Sequence, residues 1–338
     1  MRTSSWWAIG AALTLSVGAA AQPPHADPES ILTSRFGFTS AEIAKARQGQ
    51  PVVRVKAGSE ELVAGGAIKL SGRKERLADW LKNIEHFRNA AELGITHVIP
   101  SPPAAAAFAG VNLDANDLVE LRQCGSGKCA IRLSADALGR LQRDVAWDTP
   151  QAAAQANDIV RQMLLGYTTG YVQGGHAGLG AYDGPQARPS FADEMRTLIR
   201  EATALTDLAP ELVAYLEGYP SATLPGADQL FYWSSVTAGS DAILSLHHLV
   251  VYRRGTNEVW VADKSLYASR FIDAGLLAIG LYDAPDGSGY YAIAGTRVRA
   301  SRLGGVAGTV LRRQVQRSAS DTVKMYLEWM RDSLAQGL

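Results

Sequence analysis

The sequence predicts an α+β fold in which an antiparallel sheet packs against a long C-terminal helix, and two patterns carry that reading. In the last third, five strand-like segments follow one another with short links: Leu230–Ala238, Ile243–Arg253, Glu258–Arg270, Phe271–Asp283 and Tyr290–Ser301. Gly255-Thr256-Asn257 and the stretch Pro285 to Gly289 are the clearest hairpin turns, and consecutive strands joined this way form an antiparallel meander. Behind them, from about Gly305 to Leu334, the residues Leu311, Val315, Ala319, Val323, Tyr326, Met330 and Leu334 recur every three or four positions. That spacing gives a helix with one buried face, for which the preceding sheet is the natural partner.

Earlier elements follow in order. Met1 to Ser5 carries one positive charge, an apolar stretch runs from Trp6 to about Ala21, and Ala19-Ala20-Ala21 leads into Gln22-Pro23-Pro24. This is the grammar of a cleaved signal peptide over residues 1–21. The competing reading, a transmembrane anchor, requires about 20 apolar residues and stop-transfer charges after them; Gln22 and two prolines stand there instead. Residues 22–35 read as a mobile leader. Thr39 and Glu42 have capping-box spacing and open a short helix, which completes a leader region over 22–50.

Val52–Lys56 and Glu61–Leu70 read as strands. In Arg73–Leu93, Leu77, Trp80, Leu81, Ile84 and Phe87 recur at helical spacing, and Gly94–Pro100 is a further strand. The middle, about residues 104–227, reads as a mostly helical insertion. Thr149-Pro150 caps a helix reaching about Tyr171, striped by Ile159, Met163, Tyr167 and Tyr171, and further helices fit Ser190–Glu201 and Pro210–Glu217.

The 33 basic and 33 acidic residues cancel, so no electrostatic ground exists for proposing nucleic acid as a partner. The two cysteines, Cys124 and Cys129, enclose Gly-Ser-Gly-Lys. In an exported protein a close pair reads as a structural disulfide, with Gly125 and Gly127 supplying the chain freedom to close it. A redox site expects Cys-x-x-Cys, and a metal site needs further ligands nearby.

The order strand, helix, strand, helical insertion, meander and long final helix resembles the START-like (SRPBCC) helix-grip superfamily. Its carriers are the strand-to-helix passage Gly65–Ile84, continuing to Phe87, and the closing passage Gly289–Leu334. The resemblance implies a curved antiparallel sheet gripping the C-terminal helix around a ligand cavity. A single START-like domain would then span residues 51–338, with the insertion as a lid or a separate packing layer. The segments Cys124–Leu133, Ala227–Ser234 and Lys264–Phe271 also resemble a family of uncharacterised exported bacterial proteins, which implies no particular chemistry.

Strand alternation sorts candidate residues by face. On Ile243–Arg253, Leu244, Leu246, His248, Val250 and Tyr252 share one face, and Ile243, Ser245, His247, Leu249 and Val251 the other. On the next strand Val259, Val261, Asp263, Ser265 and Tyr267 fall together. A histidine, Asp263 and Tyr267 would then meet over an apolar floor, able to orient a ligand's polar end or to transfer protons. The plainer reading makes His247 or His248 a hydrogen-bonded core residue.

Other motifs lead nowhere further. No Gly-x-Ser-x-Gly elbow and no His-x-x-x-His pair occurs, so neither a hydrolase of that kind nor a metal centre is indicated. Gly174 to Gly180 follows a helix rather than a strand, which removes the nucleotide-loop context. Arg297, Arg299, Arg302, Arg312, Arg313 and Arg317 form either a docking surface for anionic lipid or cell-wall polymer, or a solvated face.

The expectation is therefore a periplasmic or secreted protein that binds a lipid or other apolar small molecule between sheet and final helix, without a cofactor. Trp233, His248, Tyr252, Asp263 and Tyr267 are the candidate cavity residues. The alternatives are an enzyme of the same fold using histidine and Asp263 for acid–base work, and a non-catalytic envelope component.

Overall fold

The computed structural model describes residues 27–90, 94–125, 128–180, 190–238, 241–300 and 308–335. The signal segment 1–21, Gly127, Ser301, Arg302 and the first residues assigned to the last helix lie outside these, as do the side chains of Leu311, Arg312, Arg313 and Val315.

The chain opens with two short helices, α1 (Pro28–Phe36) and α2 (Ser40–Arg47). The second half of the expected leader is thus helical. The Asp27 carboxylate accepts from the backbone N–H groups of Glu29 and Ser30, Pro28 occupies the first turn, and Gly37 closes the helix at φ 69°. Ile31 and Leu32 are buried against the sheet layer, too short a pair to register as periodicity. The Thr39–Glu42 capping box forms as the sequence suggests.

Strands β1 (Val52–Ala57) and β2 (Glu61–Leu70) form a hairpin and lead into α3 (Lys74–Lys82) and α4 (Ile84–Ala90). The single helix expected over 73–93 breaks at Asn83, whose ψ of 54° leaves the helical region. Strand β3 (Ile95–Ile99) precedes the insertion. There α5 (Ala115–Gln123), α6 (Ala135–Asp144), α7 (Ala152–Gly174), α8 (Phe191–Glu201), α9 (Thr203–Leu208) and α10 (Pro210–Gly218) follow. The meander β4 (Ala227–Ala238), β5 (Asp241–Arg254), β6 (Glu258–Ala268), β7 (Ala274–Asp283) and β8 (Tyr290–Arg299) then leads to α11 (Gly308–Ala335).

All eight strands form one curved, unclosed antiparallel sheet in the order β1-β2-β8-β7-β6-β5-β4-β3. Both sides are covered. On one, the insertion and α1 pack over Phe231, Trp233, Val250, Trp260, Ala262, Tyr282 and Ile293. On the other, α3, α4 and α11 pack over Tyr232, Leu249, Val251, Val261, Ile279, Leu281 and Ala292. Burial on both sides explains why β5 reads as nearly continuous apolar sequence rather than clean alternation.

Small residues in β2 allow the close approach. A Cβ on Gly66 would come within 2.7 Å of Val323 Cγ1 and 2.9 Å of Leu327 Cδ1. On the opposite side the Phe36 ring fills the recess over Gly65. The second half of α11 is sealed down, with Leu327 and Met330 each 1% exposed and Trp329 stacked on Trp80 at 4.2 Å. Because Leu327 fills this recess, Leu327→Ala is expected to cost about 2–5 kcal/mol of unfolding free energy, measured by urea denaturation. A loss below about 0.5 kcal/mol, the ordinary scale for surface positions, would contradict the docking of α11.

Candidate functional site

On the α11 side, β4, β5 and β6 bring a connected polar group together. His247 Nδ1 lies 3.0 Å from Asp263 Oδ1, and the Tyr232 hydroxyl donates to Asp263 Oδ2. The Tyr232 and His247 rings stack at 4.5 Å, 4° from parallel. His247 Nε2 lies 2.9 Å from Ser245 Oγ, which in turn meets Ser234 Oγ at 3.1 Å. From α4, Arg88 bonds Thr96 Oγ1 at 3.1 Å and the Tyr326 hydroxyl of α11 at 2.8 Å, with its guanidinium 5.9 Å from the Tyr232 ring centre.

Electrostatics follow from burial and charge. Burial alone would push the Asp263 carboxyl up, but the charge and hydrogen bond of His247, the Tyr232 hydroxyl and the Arg88 charge together hold it below its ordinary range. Burial, then the neighbouring Asp263 charge, keeps the Tyr232 phenol protonated far above its usual pKa. The group is not sealed: the His247 and Asp263 side chains are 16% and 12% exposed. On the same side of the sheet Leu277, opposite Asp263, is only half-buried, as are Ile243 and Val298, whereas Leu249, Val251, Val261 and Ile279 are fully covered.

Four of the five candidate cavity residues lie on the other side of the sheet. Trp233 donates from Nε1 to the Ala107 carbonyl at 2.8 Å, and the Tyr267 hydroxyl donates to the Arg132 carbonyl at 2.7 Å. These two line one small cavity of about 80 Å³ beneath the insertion, with Val111, Leu133, Val160 and Leu244. His248 is fully buried between the Tyr171 hydroxyl, 3.0 Å from Nδ1, and Gln229 Oε1, 2.8 Å from Nε2. Tyr252 is buried on the same side near the far end of β5, opposite Trp260.

Tyr267 therefore does not share a face with Asp263. The register passes from His247↔Ser265 to Leu246↔Tyr267, so Leu266 is an extra residue, and this bulge turns Tyr267 to the insertion side. Of the two histidines, His247 is the one that meets Asp263, its diagonal cross-strand neighbour two residues from its direct partner Ser265. Sequence reasoning passed over Tyr232, Ser245, Arg88 and Tyr326. Alternation alone could have supplied Ser245, which shares the face of His247.

The insertion side carries a second polar group. Lys264, fully buried, donates to the Leu216 carbonyl at 2.9 Å, sits 3.4 Å from His176 Nε2 and 4.7 Å from the Tyr171 ring centre. Burial lowers its pKa to about 7, while burial and then the Lys264 charge lower that of His176 to about 3. This group joins α7 and α10 to the sheet.

The remaining motifs resolve as structure. Cys124 and Cys129 are bonded, with Cα atoms 5.1 Å apart, in the link between α5 and α6. Arg297 and Arg299 are drawn into ion pairs, Arg297 with Glu61 at 3.0 Å and Arg299 with Glu194 at 2.7 Å, rather than presented as a free basic surface. Gly175 to Gly178 forms a short 3-10 turn closely packed on Gly170 and Tyr219. Among the described residues no helix is long and apolar enough to cross a membrane, and no three His, Cys, Asp or Glu side chains gather as metal ligands. No known family model matches the chain, and no curated protein is significantly similar to it.

The Lys264 environment has a measurable consequence. Its folded pKa of about 7 lies below the roughly 10.4 of an unfolded lysine. Between those values the unfolded chain binds the extra proton, and this group makes stability rise with pH. Urea denaturation from pH 7 to 10 is expected to show that rise in the native protein and a flatter profile in Lys264→Met; an unchanged slope would contradict a neutral Lys264.

Proposed function

We propose that the protein binds a lipid or other apolar small molecule outside the cytoplasm, on the α11 side of the sheet, with the ligand's polar end at His247 and Asp263. One observation carries this reading. The hydrogen-bonded group of His247, Asp263, Tyr232 and Ser245 lies at the boundary where the covered half of that side gives way to half-buried apolar residues, Ile243, Leu277 and Val298. A few fixed polar atoms beside an apolar floor are what orient an amphipathic guest.

The strand order supports a START-like grip as the framework. After β2 come two helices and β3, then the meander, whose last strand returns beside β2 before α11 crosses the sheet. On this reading β1 and the helical insertion are additions to the compact form. The sealed second half of α11 confines the guest to the part of the sheet next to His247. The bonded cysteines and the signal-like first 21 residues favour a periplasmic or secreted location. The reading requires no cofactor.

Extraction of the purified native protein with organic solvent, followed by mass spectrometry, tests it. An apolar molecule is expected at near-stoichiometric yield, and Leu277→Trp, which fills the floor, is expected to reduce it at least ten-fold. An empty native protein, or equal yield from folded Leu277→Trp, would contradict the proposal.

A second reading is favoured by the order of the bonds Ser245–His247–Asp263. The carboxylate meets Nδ1 and the hydroxyl meets Nε2, the arrangement in which a histidine can take a proton from a hydroxyl or water. Hydrolysis of p-nitrophenyl butyrate is then expected to fall about 10²–10⁴-fold in His247→Gln. Activity at the uncatalysed rate in the native protein, or unchanged in the variant, would remove this alternative.

A further inference from the structure

On the insertion side, a cleft of about 190 Å³ opens between α1, α9 and strands β2, β8, β7 and β6. Phe36, Leu205, Leu208, Trp260, Tyr282 and Ile293 make it largely apolar and rich in rings. The charged groups at its edge are paired with one another: Arg35 with Asp207 at 2.7 Å, and Arg297 with Glu61 at 3.0 Å and with Glu201 at 3.7 Å. Each of these charges is engaged in an ion pair, Glu201 also with Arg299 at 3.4 Å, so the edge presents no unpaired charge to an ionic ligand among the described residues.

Two buried polar atoms of the lining have no hydrogen-bond partner among the described residues, the Tyr282 hydroxyl and Arg297 Nη1, and the second of these is held in an ion pair with Glu201 at 3.7 Å. Tyr282 is 3% exposed. Its ring lies across Gly280, where a Cβ would approach Cε2 to 2.6 Å and the hydroxyl to 3.0 Å. The missing side chain at 280 thus lets the phenol extend back along β7 toward Ala278, which lines the same cleft. A buried hydroxyl left unpaired is unfavourable, and a ligand oxygen reaching it would satisfy it.

We propose that this cleft is a binding site, independent of the one on the α11 side, for an uncharged single-ring aromatic molecule carrying a carbonyl or hydroxyl oxygen, with that oxygen bonded to Tyr282. Three features select this class. The volume exceeds the 150 Å³ or so that accepts benzene in an apolar cavity, leaving room for one substituent. Trp260 and Tyr282, edge-to-face at 5.7 Å, together with Phe36 supply ring contacts at the walls. The Tyr282 hydroxyl supplies the single directional bond.

The probe is 4-fluoroacetophenone, titrated against the full chain and followed by ¹⁹F NMR line broadening. Saturable binding is expected in the native protein, about five-fold weaker in Tyr282→Phe, which removes the hydroxyl and keeps the ring. It is expected to vanish in Ala278→Leu, which fills the floor. Should Ala278→Leu fail to fold, Ala204→Trp at the mouth of the cleft serves the same purpose. The absence of saturable binding to the native protein would overturn the proposal, and so would affinity unchanged by Tyr282→Phe or retained in the folded filled variant.

Discussion

The structure depends on one constraint: a single antiparallel sheet is covered on both sides, so every central strand must deliver two different sets of side chains. Residues 247 and 248 show what this means. His247 turns toward α11 and joins Asp263, Tyr232 and Ser245 in a partly exposed polar group. His248, the next residue, turns toward the insertion and is wholly enclosed between Tyr171 and Gln229. Burial lowers the pKa of His248 well below that of a free imidazole, aided by the Lys264 charge, and keeps it neutral. Adjacent positions on one strand therefore serve separate tasks, the outer one bonded to an ionised carboxylate and the inner one fixing a helical layer to the sheet.

The two sides are also built differently. The insertion side is held by ring contacts, by buried hydrogen bonds, by the buried Arg270–Asp117 ion pair and by Lys264, whose burial with no carboxylate in bonding range among the described residues carries an energetic cost. The α11 side is apolar where α3, α4 and the end of α11 close over it, through Trp80, Phe87, Trp329, Leu327 and Met330. Beside Arg88, His247 and Asp263 it becomes polar, as it does where Lys74 of α3 pairs with Asp283. The partly exposed polar group of His247 and Asp263, next to half-buried apolar residues, is what supports the proposed position of a ligand's polar end.

Much of the fold was legible from residues alone. The turn residues at 255–257 and 285–289 separate β5 from β6 and β7 from β8 as expected, and from the stripe read over Leu311 to Leu334 the members Val323, Tyr326, Met330 and Leu334 do pack on the buried side of α11. Local events without a strong signal were not. Leu266 is an ordinary apolar residue between Ser265 and Tyr267, with no glycine or proline to announce the bulge that turns Tyr267 over. Asn83 interrupts a stripe whose spacing continues across it, so one helix was expected where two form. The helix α1 is too short and too weakly patterned for its periodicity to be read, and its order depends on Asp27, Gly37 and contacts with distant strands. The choice between His247 and His248 turned on register, which alternation within one strand cannot supply.

The adjacency of His247 and His248 provides the most direct measurement of the central claim, since the two imidazoles report on opposite sides of the sheet. With ring-labelled histidine, the ¹H–¹³C imidazole spectrum would be followed while monolaurin, an uncharged amphipathic molecule, is added to delipidated protein. The account predicts a saturable shift of the His247 ring with His248 and His176 unmoved. Shifts at His248 or His176 with His247 unchanged, or no saturable shift at all, would contradict it.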